Sequence, residues 1–180
     1  MLAIVPFKGL DGAKTRLAAV LTDEERARLA AEMLERVLAA CADAASIRRT
    51  LLVTPDQSMA ADGVDVLVDG GTGHADAVAL ALADPRARSG ALVVMADCPL
   101  VEAESLDALV EAARPLALAP AHDGGVNALA LRPVDGFVPR FGVPAGTMLA
   151  AARAAQLVPA IVRDDRLAFD VDRPADLARL

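Results

Sequence analysis

At 180 residues, 55% of them hydrophobic, the chain has the size of one domain and enough apolar material to bury a core without disulfides or a structural metal. A formal net charge of −7 and the absence of Trp and Tyr exclude broad nucleic-acid binding, which needs phosphate-neutralising surface and aromatic platforms. No apolar run approaches the ~20 residues that cross a bilayer, and Cys41 and Cys98 form neither a disulfide framework nor a zinc cluster. A cytoplasmic protein with no membrane partner is the expectation, since the apolar run at 1–6 is too short for a secretory segment and Lys8 follows it.

In chain order, 2–6 reads as a short buried strand, and a helix covers about 22–42, where Leu29, Met33, Leu34, Val37, Leu38 and Cys41 recur at spacings of three and four. Thr22 and Glu25 carry its capping-box signature. Strands follow at 50–54, 64–68 and 91–95, with helices at 75–82 and 102–113 between and after them. Alternating helices and apolar, β-branched strands predict an α/β fold whose first half is a doubly wound parallel sheet. The second half is less regular. Segments 116–120, 127–132 and 158–163 read as extended, 147–156 as helical, and Pro174 opens a last helix, so a mixed sheet is expected there.

Ligands of open α/β sheets sit beyond the carboxyl ends of the strands. After the first strand come Lys8, Gly9, Gly12, Lys14 and Arg16, a glycine-bearing loop with three cations that suits phosphate, although a solvated basic loop would look the same. After the fourth come Asp97, Cys98 and Pro99, where the carboxylate either holds Mg²⁺ or caps the helix near Glu102. Asp170 and Asp172 lie on one side of an extended segment and either could supply a second metal ligand, or else Asp172 or Asp176 caps the terminal helix. Gly124, Gly125 and Asn127 form a close backbone approach to a ligand or an ordinary hairpin turn. His74 and His122 lack metal-ligand spacing and read as loop or helix-end residues.

Five segments in this order, PFKGLDGAKTRL, DCPL, GGVNAL, RFG and FDVDRPADL, resemble the 2-phospho-L-lactate or phosphoenolpyruvate guanylyltransferase family of coenzyme F420 biosynthesis over nearly the whole chain. The resemblance implies a Rossmann-like three-layer α/β/α sandwich with a mostly parallel, mixed sheet of the GT-A-like nucleotidyltransferase type, as one domain over 1–180. It implies transfer of GMP from GTP to a small phosphorylated acid, namely phosphoenolpyruvate, 2-phospho-L-lactate or 3-phosphoglycerate, with Mg²⁺ as cofactor; a homodimer is the general expectation for a small enzyme. Lys14, Arg16 and Asp97 then take catalytic roles, and Pro6, Lys8, Gly12, Lys14, Gly73 and Asp76 the nucleotide. Gly125, Val126, Asn127, Gly142 and Ala145 take the acceptor, and Asp97, Asp170 and Asp172 the metal.

Three departures from the family pattern bear on specificity. Val126 stands where threonine is common, and Val143, Pro144 and Ala145 follow Gly142 where a serine is common, which removes two hydroxyl donors to the acceptor. Gly71 to Asp76 replaces a Gly-Leu-Asn segment associated with the nucleotide, which leaves base choice open. A sibling transferase of molybdenum cofactor or sugar phosphate type fits less well, because its LAGGxGxR-type opening is missing. A nucleotide-binding protein that has lost turnover is the remaining alternative.

Overall fold

The computed structural model describes residues 1–71, 73–132 and 137–180. They form a seven-stranded sheet made by β1 (Leu2–Pro6), β2 (Arg49–Thr54), β3 (Val64–Val68), β4 (Ala91–Val94), β5 (Leu116–Pro120), β6 (Val126–Leu131) and β7 (Ala160–Ile161), in the spatial order β3-β2-β1-β4-β6-β5-β7. β1 pairs in parallel with both β2 and β4, while β6 runs antiparallel between β4 and β5. The sheet is therefore mixed, as expected, and β6 starts at the edge where the other strands end.

Period-two alternation divides each central strand between two cores. Ala3 and Val5 of β1 and Leu92 and Val94 of β4 pack on one face, whereas Leu2, Ile4, Ala91 and Val93 pack on the other. The first face is covered by α1 (Asp23–Asp43) and α3 (Ala103–Ala112), with Leu167 from the short α5 (Asp165–Ala168). The second is covered by α2 (His74–Ala83) and α4 (Ala145–Ala154). With both faces covered the strands carry unbroken apolar runs, each fully buried Leu, Val or Ile stabilising the fold by about 1.5–3 kcal/mol.

α1 begins at the anticipated capping box, in which Thr22 Oγ1 accepts from the Glu25 N–H and the Glu25 carboxylate accepts from the Thr22 N–H. The C-terminal half shows three adjustments. The extended stretch at 158–163 keeps only two strand residues, Ala160 and Ile161, paired with Ala117 and Leu118 of β5, and one further bond runs from the Val162 N–H to Leu118 O at 2.9 Å. α4 starts at Ala145, two residues before the expected point, with Pro144 as its N-cap. Pro174 opens a 3-10 helix, Pro174–Arg179, with Arg173 as its N-cap; Asp176, inside its first turn, reaches back and its carboxylate accepts from the N–H groups of Asp172 and Arg173.

Candidate active site

The cleft has a volume of about 760 Å³ and lies at the carboxyl edge of the sheet, where Pro6 ends β1, Met95 and Asp97 follow β4, and Val126 and Asn127 open the reversed β6. Backbone bonds tie these pieces together: the Met95 N–H donates to Asn127 O at 2.9 Å, and the Val171 N–H to Asp97 O at 3.2 Å. That second bond sets 170–172 beside Asp97. Phe169 and Val171 point into a small core with Leu17 and Met33, and alternation turns Asp170 and Asp172 the other way, into the cleft. Oxygens of Asp97, Asp170 and Asp172 all lie within 4.8 Å of one another.

Leu17 belongs to the same small core, so burying it also pins the basic loop. Lys14 adopts the left-handed conformation (φ 49°, ψ 45°) at the head of the 3-10 turn Thr15–Leu17, an unfavourable backbone state for a side-chain-bearing residue, and its ammonium reaches the carboxylates. Nζ lies 2.5 Å from Asp97 Oδ2 and 3.0 Å from Asp172 Oδ1. Arg16 donates to Asp172 Oδ2 at 2.7 Å from a more exposed position.

Burial disfavours charge on Lys14, but the Asp97 and Asp172 carboxylates outweigh it and hold the ammonium above its ordinary pKa. Burial likewise pushes Asp172 up, yet Lys14 and Arg16 overcome it and keep that carboxyl below its usual range. Asp170 differs: burial raises it, the charges of Asp97, Asp123 and Asp172 add to the rise, and the amide of Asn127, donating at 3.1 Å, opposes it. Hard oxygen donors this close together, with negative charge that Lys14 and Arg16 only partly offset, suit a small divalent cation that keeps other positions for water and phosphate.

Of the residues expected to act, Pro6, Lys8, Gly12, Lys14, Arg16, Asp97, Gly125, Val126, Asn127, Gly142, Asp170 and Asp172 all border this cleft. Gly73, Asp76 and Ala145 do not. Gly73 is the N-cap of α2, and its carbonyl is taken by the Ala77 N–H; Asp76 is exposed one turn into that helix. Ala145 instead uses its N–H to bond Gly124 O at 2.8 Å, holding the β5–β6 turn that borders the cleft. Thr72 of the same departing segment lies outside the described residues. The segment Asp123 to Asn127 is the β5–β6 turn, as one of its two readings expected, and it also borders the cleft. Asp97 is not a helix cap: α3 has Glu102 at its N-cap and no side-chain cap bond.

The sequence reading gave no site role to His74, which it took for a loop or helix-end residue, or to Asp123. His74 opens α2 and faces the cleft; burial, followed by the charge of Lys8, lowers its pKa and favours the neutral imidazole. Asp123 stands at the tip of the turn. The available signals were the position of His74 after β3, at the sheet's carboxyl edge, and the adjacency of Asp123 to Gly124 and Gly125.

The whole chain, residues 1–180, matches the family model described as guanylyl transferase CofC like. It is 41% identical to a phosphoenolpyruvate guanylyltransferase of Sphaerobacter thermophilus, covering 99% of this chain and 91% of that one. It is 38% identical to a 3-phospho-D-glycerate guanylyltransferase of Phenylobacterium zucineum (97% and 86% covered) and 32% identical to a 2-phospho-L-lactate guanylyltransferase of Methanocorpusculum labreanum (99% and 81%). Among solved structures, a nucleotide-diphospho-sugar transferase of Desulfovibrio desulfuricans superposes with TM-score 0.79 at 18% identity over 98% of this chain and 84% of its own. A Mycobacterium tuberculosis protein solved with manganese gives 0.57 at 19% identity over 99% and 95%. At those identities the structural likeness speaks for the fold, the GT-A-like nucleotidyltransferase architecture.

Proposed function

The chain belongs to the CofC-like guanylyl transferase family and is a nucleotidyltransferase, and from that premise we propose that residues 1–180 form one catalytic domain that transfers GMP from GTP to phosphoenolpyruvate with Mg²⁺, releasing pyrophosphate. The observation that carries this reading is the convergence of the glycine-bearing basic loop on the carboxylate trio, with Lys14 bonded to both Asp97 and Asp172.

Asp97, Asp170 and Asp172 would hold the cation, which when bound would withdraw charge from the reacting phosphates. Lys8, Lys14 and Arg16 orient the triphosphate and neutralise the charge that grows on the departing pyrophosphate. Gly12, in the left-handed region at φ 65°, lets the loop backbone approach the phosphates. An acceptor phosphate oxygen attacks the α-phosphorus in line while the Gly124–Gly125 turn, Asn127 and the 141–144 segment hold the acid in place. Positioning and electrostatics suffice, and no covalent enzyme intermediate is required.

Phosphoenolpyruvate, the acceptor in the name of the 41% identical relative, and 2-phospho-L-lactate are favoured over 3-phosphoglycerate because the wall beside the acceptor is poor in hydroxyls. Val126, Phe141, Val143 and Pro144 border that end, and Thr147 is an exposed residue of α4 that does not line the cleft. 3-Phosphoglycerate would bring a free hydroxyl that these side chains leave without a partner, whereas phosphoenolpyruvate and 2-phospho-L-lactate have none. Buried Cys41 and Cys98, both free thiols, suit a reducing cytoplasm.

The test is pyrophosphate release with Mg²⁺ and GTP, CTP or ATP, each crossed with phosphoenolpyruvate, 2-phospho-L-lactate and 3-phosphoglycerate, beside Asp97→Ala. Release with GTP and phosphoenolpyruvate that is lost in the variant supports the proposal. Release confined to another nucleotide, or undiminished in the variant, overturns it.

A further inference from the structure

Lys14 bridges Asp97 and Asp172 through oxygens that a metal shared by the two carboxylates could also use. Its Nζ bonds one oxygen of each carboxylate, at 2.5 and 3.0 Å, and only 11% of its side chain is exposed. A divalent ion at these oxygens would need the same lone pairs, and two cationic centres sharing them would repel across a short distance. Arg16 does not obstruct in this way: it touches only Asp172, and 67% of its side chain is exposed.

The ammonium has somewhere else to go. Lys14 precedes the turn anchored by Leu17, and Gly9 and Gly12 upstream both have positive φ with open space around them. A triphosphate in the cleft would offer Lys14 oxygens of greater charge than a carboxylate.

We propose that Lys14 is a built-in counter-cation, competing with the divalent metal for Asp97 and Asp172 so that metal binds weakly until a triphosphate draws the ammonium away. This rests on the reading of the cleft as a nucleotidyl-transfer site. Metal and nucleotide then favour each other's binding by the same factor, as linkage requires. Lys14 is in this respect an ordering residue as well as a phosphate ligand, and the carboxylates are never left both close together and without a cation.

The experiment is a titration of the nucleotide-free full chain with Mn²⁺, following the free ion by electron paramagnetic resonance, for wild type, K14M, K14Q, R16M and D97N. Circular dichroism verifies that each variant is folded, and K14Q keeps an amide for the carboxylates should K14M fail to fold. K14M and K14Q are expected to bind Mn²⁺ at least about tenfold more tightly than wild type, and R16M less than about threefold more tightly. Unchanged or weaker binding in both Lys14 variants overturns the proposal, and so does an R16M gain equal to theirs, which would mean loss of general positive charge rather than release of a seat. Equal binding by D97N and wild type would instead overturn the carboxylates as the metal site, a failure of the underlying reading.

Discussion

Asn127, at the start of β6, donates through Nδ2 both to Asp170 Oδ1 at 3.1 Å and to Leu167 O at 3.0 Å, so one buried amide joins the reversed strand to the segment carrying two of the three carboxylates. Because the amide opposes the upward pull that burial and neighbouring charges exert on Asp170, it helps keep that carboxyl ionised.

Asn127→Ala leaves the Leu167 carbonyl without its side-chain partner, at a cost of about 1–3 kcal/mol. Thermal melting should fall by about 2–4 °C per kcal/mol for a chain this long. The acid limb of the pH–rate profile should move to higher pH, since Asp170 loses the bond that favours its charged form. A melting shift with an unmoved acid limb would limit Asn127 to a structural part.

Asp97→Asn removes a charged oxygen and half of Lys14's pairing while preserving shape. Pyrophosphate release at saturating substrates should drop by about 10²–10³-fold, as for removal of one group that stabilises developing charge. Steady-state kcat beside a nucleotide-binding isotherm separates this from loss of GTP affinity.

Gly90 joins the 3-10 turn Pro85–Ser89 to β4 with φ 113°, and an added Cβ would sit 3.0 Å from Leu131 O and 3.1 Å from the Met1 side chain. Gly90→Ala should therefore destabilise by more than about 1 kcal/mol. As the site lies at the other end of β4, kcat at a temperature well below melting should be unchanged. Denaturant midpoints and activity together check both halves.

Cys41 is buried against apolar neighbours, which pushes its thiol up to about 12. An unfolded thiol titrates near 8.5, so between these values the native state keeps a proton that the unfolded chain releases. The contribution is fully present below about pH 8.5 and is lost as pH rises, by about 1.4 kcal/mol per unit, until the folded thiol itself ionises. The buried thiol of Cys98, raised by burial and then by the carboxylate charges of Asp97 and Asp170, acts in the same direction. Denaturant unfolding of wild type and Cys41→Ala between pH 8 and 11 should show the shallower loss in the variant.

Val126→Thr adds a hydroxyl to the cleft wall. If that wall disfavours 3-phosphoglycerate by leaving its hydroxyl unpaired, kcat/KM for this acceptor should rise about fivefold, the worth of one ordinary hydrogen bond of ~1 kcal/mol. The KM for GTP should stay where it is. Initial rates with each acceptor give the comparison.

Local signals sufficed wherever the cause was local. The apolar runs of β1, β2 and β4 appeared as strands because both faces of each are covered, and Thr22 with Glu25 marked the start of α1 because a capping box is a four-residue event. β7 shrank to Ala160–Ile161, and β6 turned antiparallel, because pairing depends on which edge a neighbour leaves open. His74 and Asp123 were given no site role, and Gly73, Asp76 and Ala145 were assigned to a cleft they do not border, because lining a cavity depends on where the backbone turns after each strand.

The sequence by itself determined the α/β class, the family, and the residue types able to do the chemistry, since hydrophobic period and ordered motifs are written along the chain. Only the tertiary structure decided that Asp97 and Asp172, 83 and 158 residues from Lys14, would close around its ammonium. That arrangement arises where the buried Leu17, Phe169 and Val171 bring the two ends of the chain together, and burial contacts between distant segments leave no spacing to read in advance.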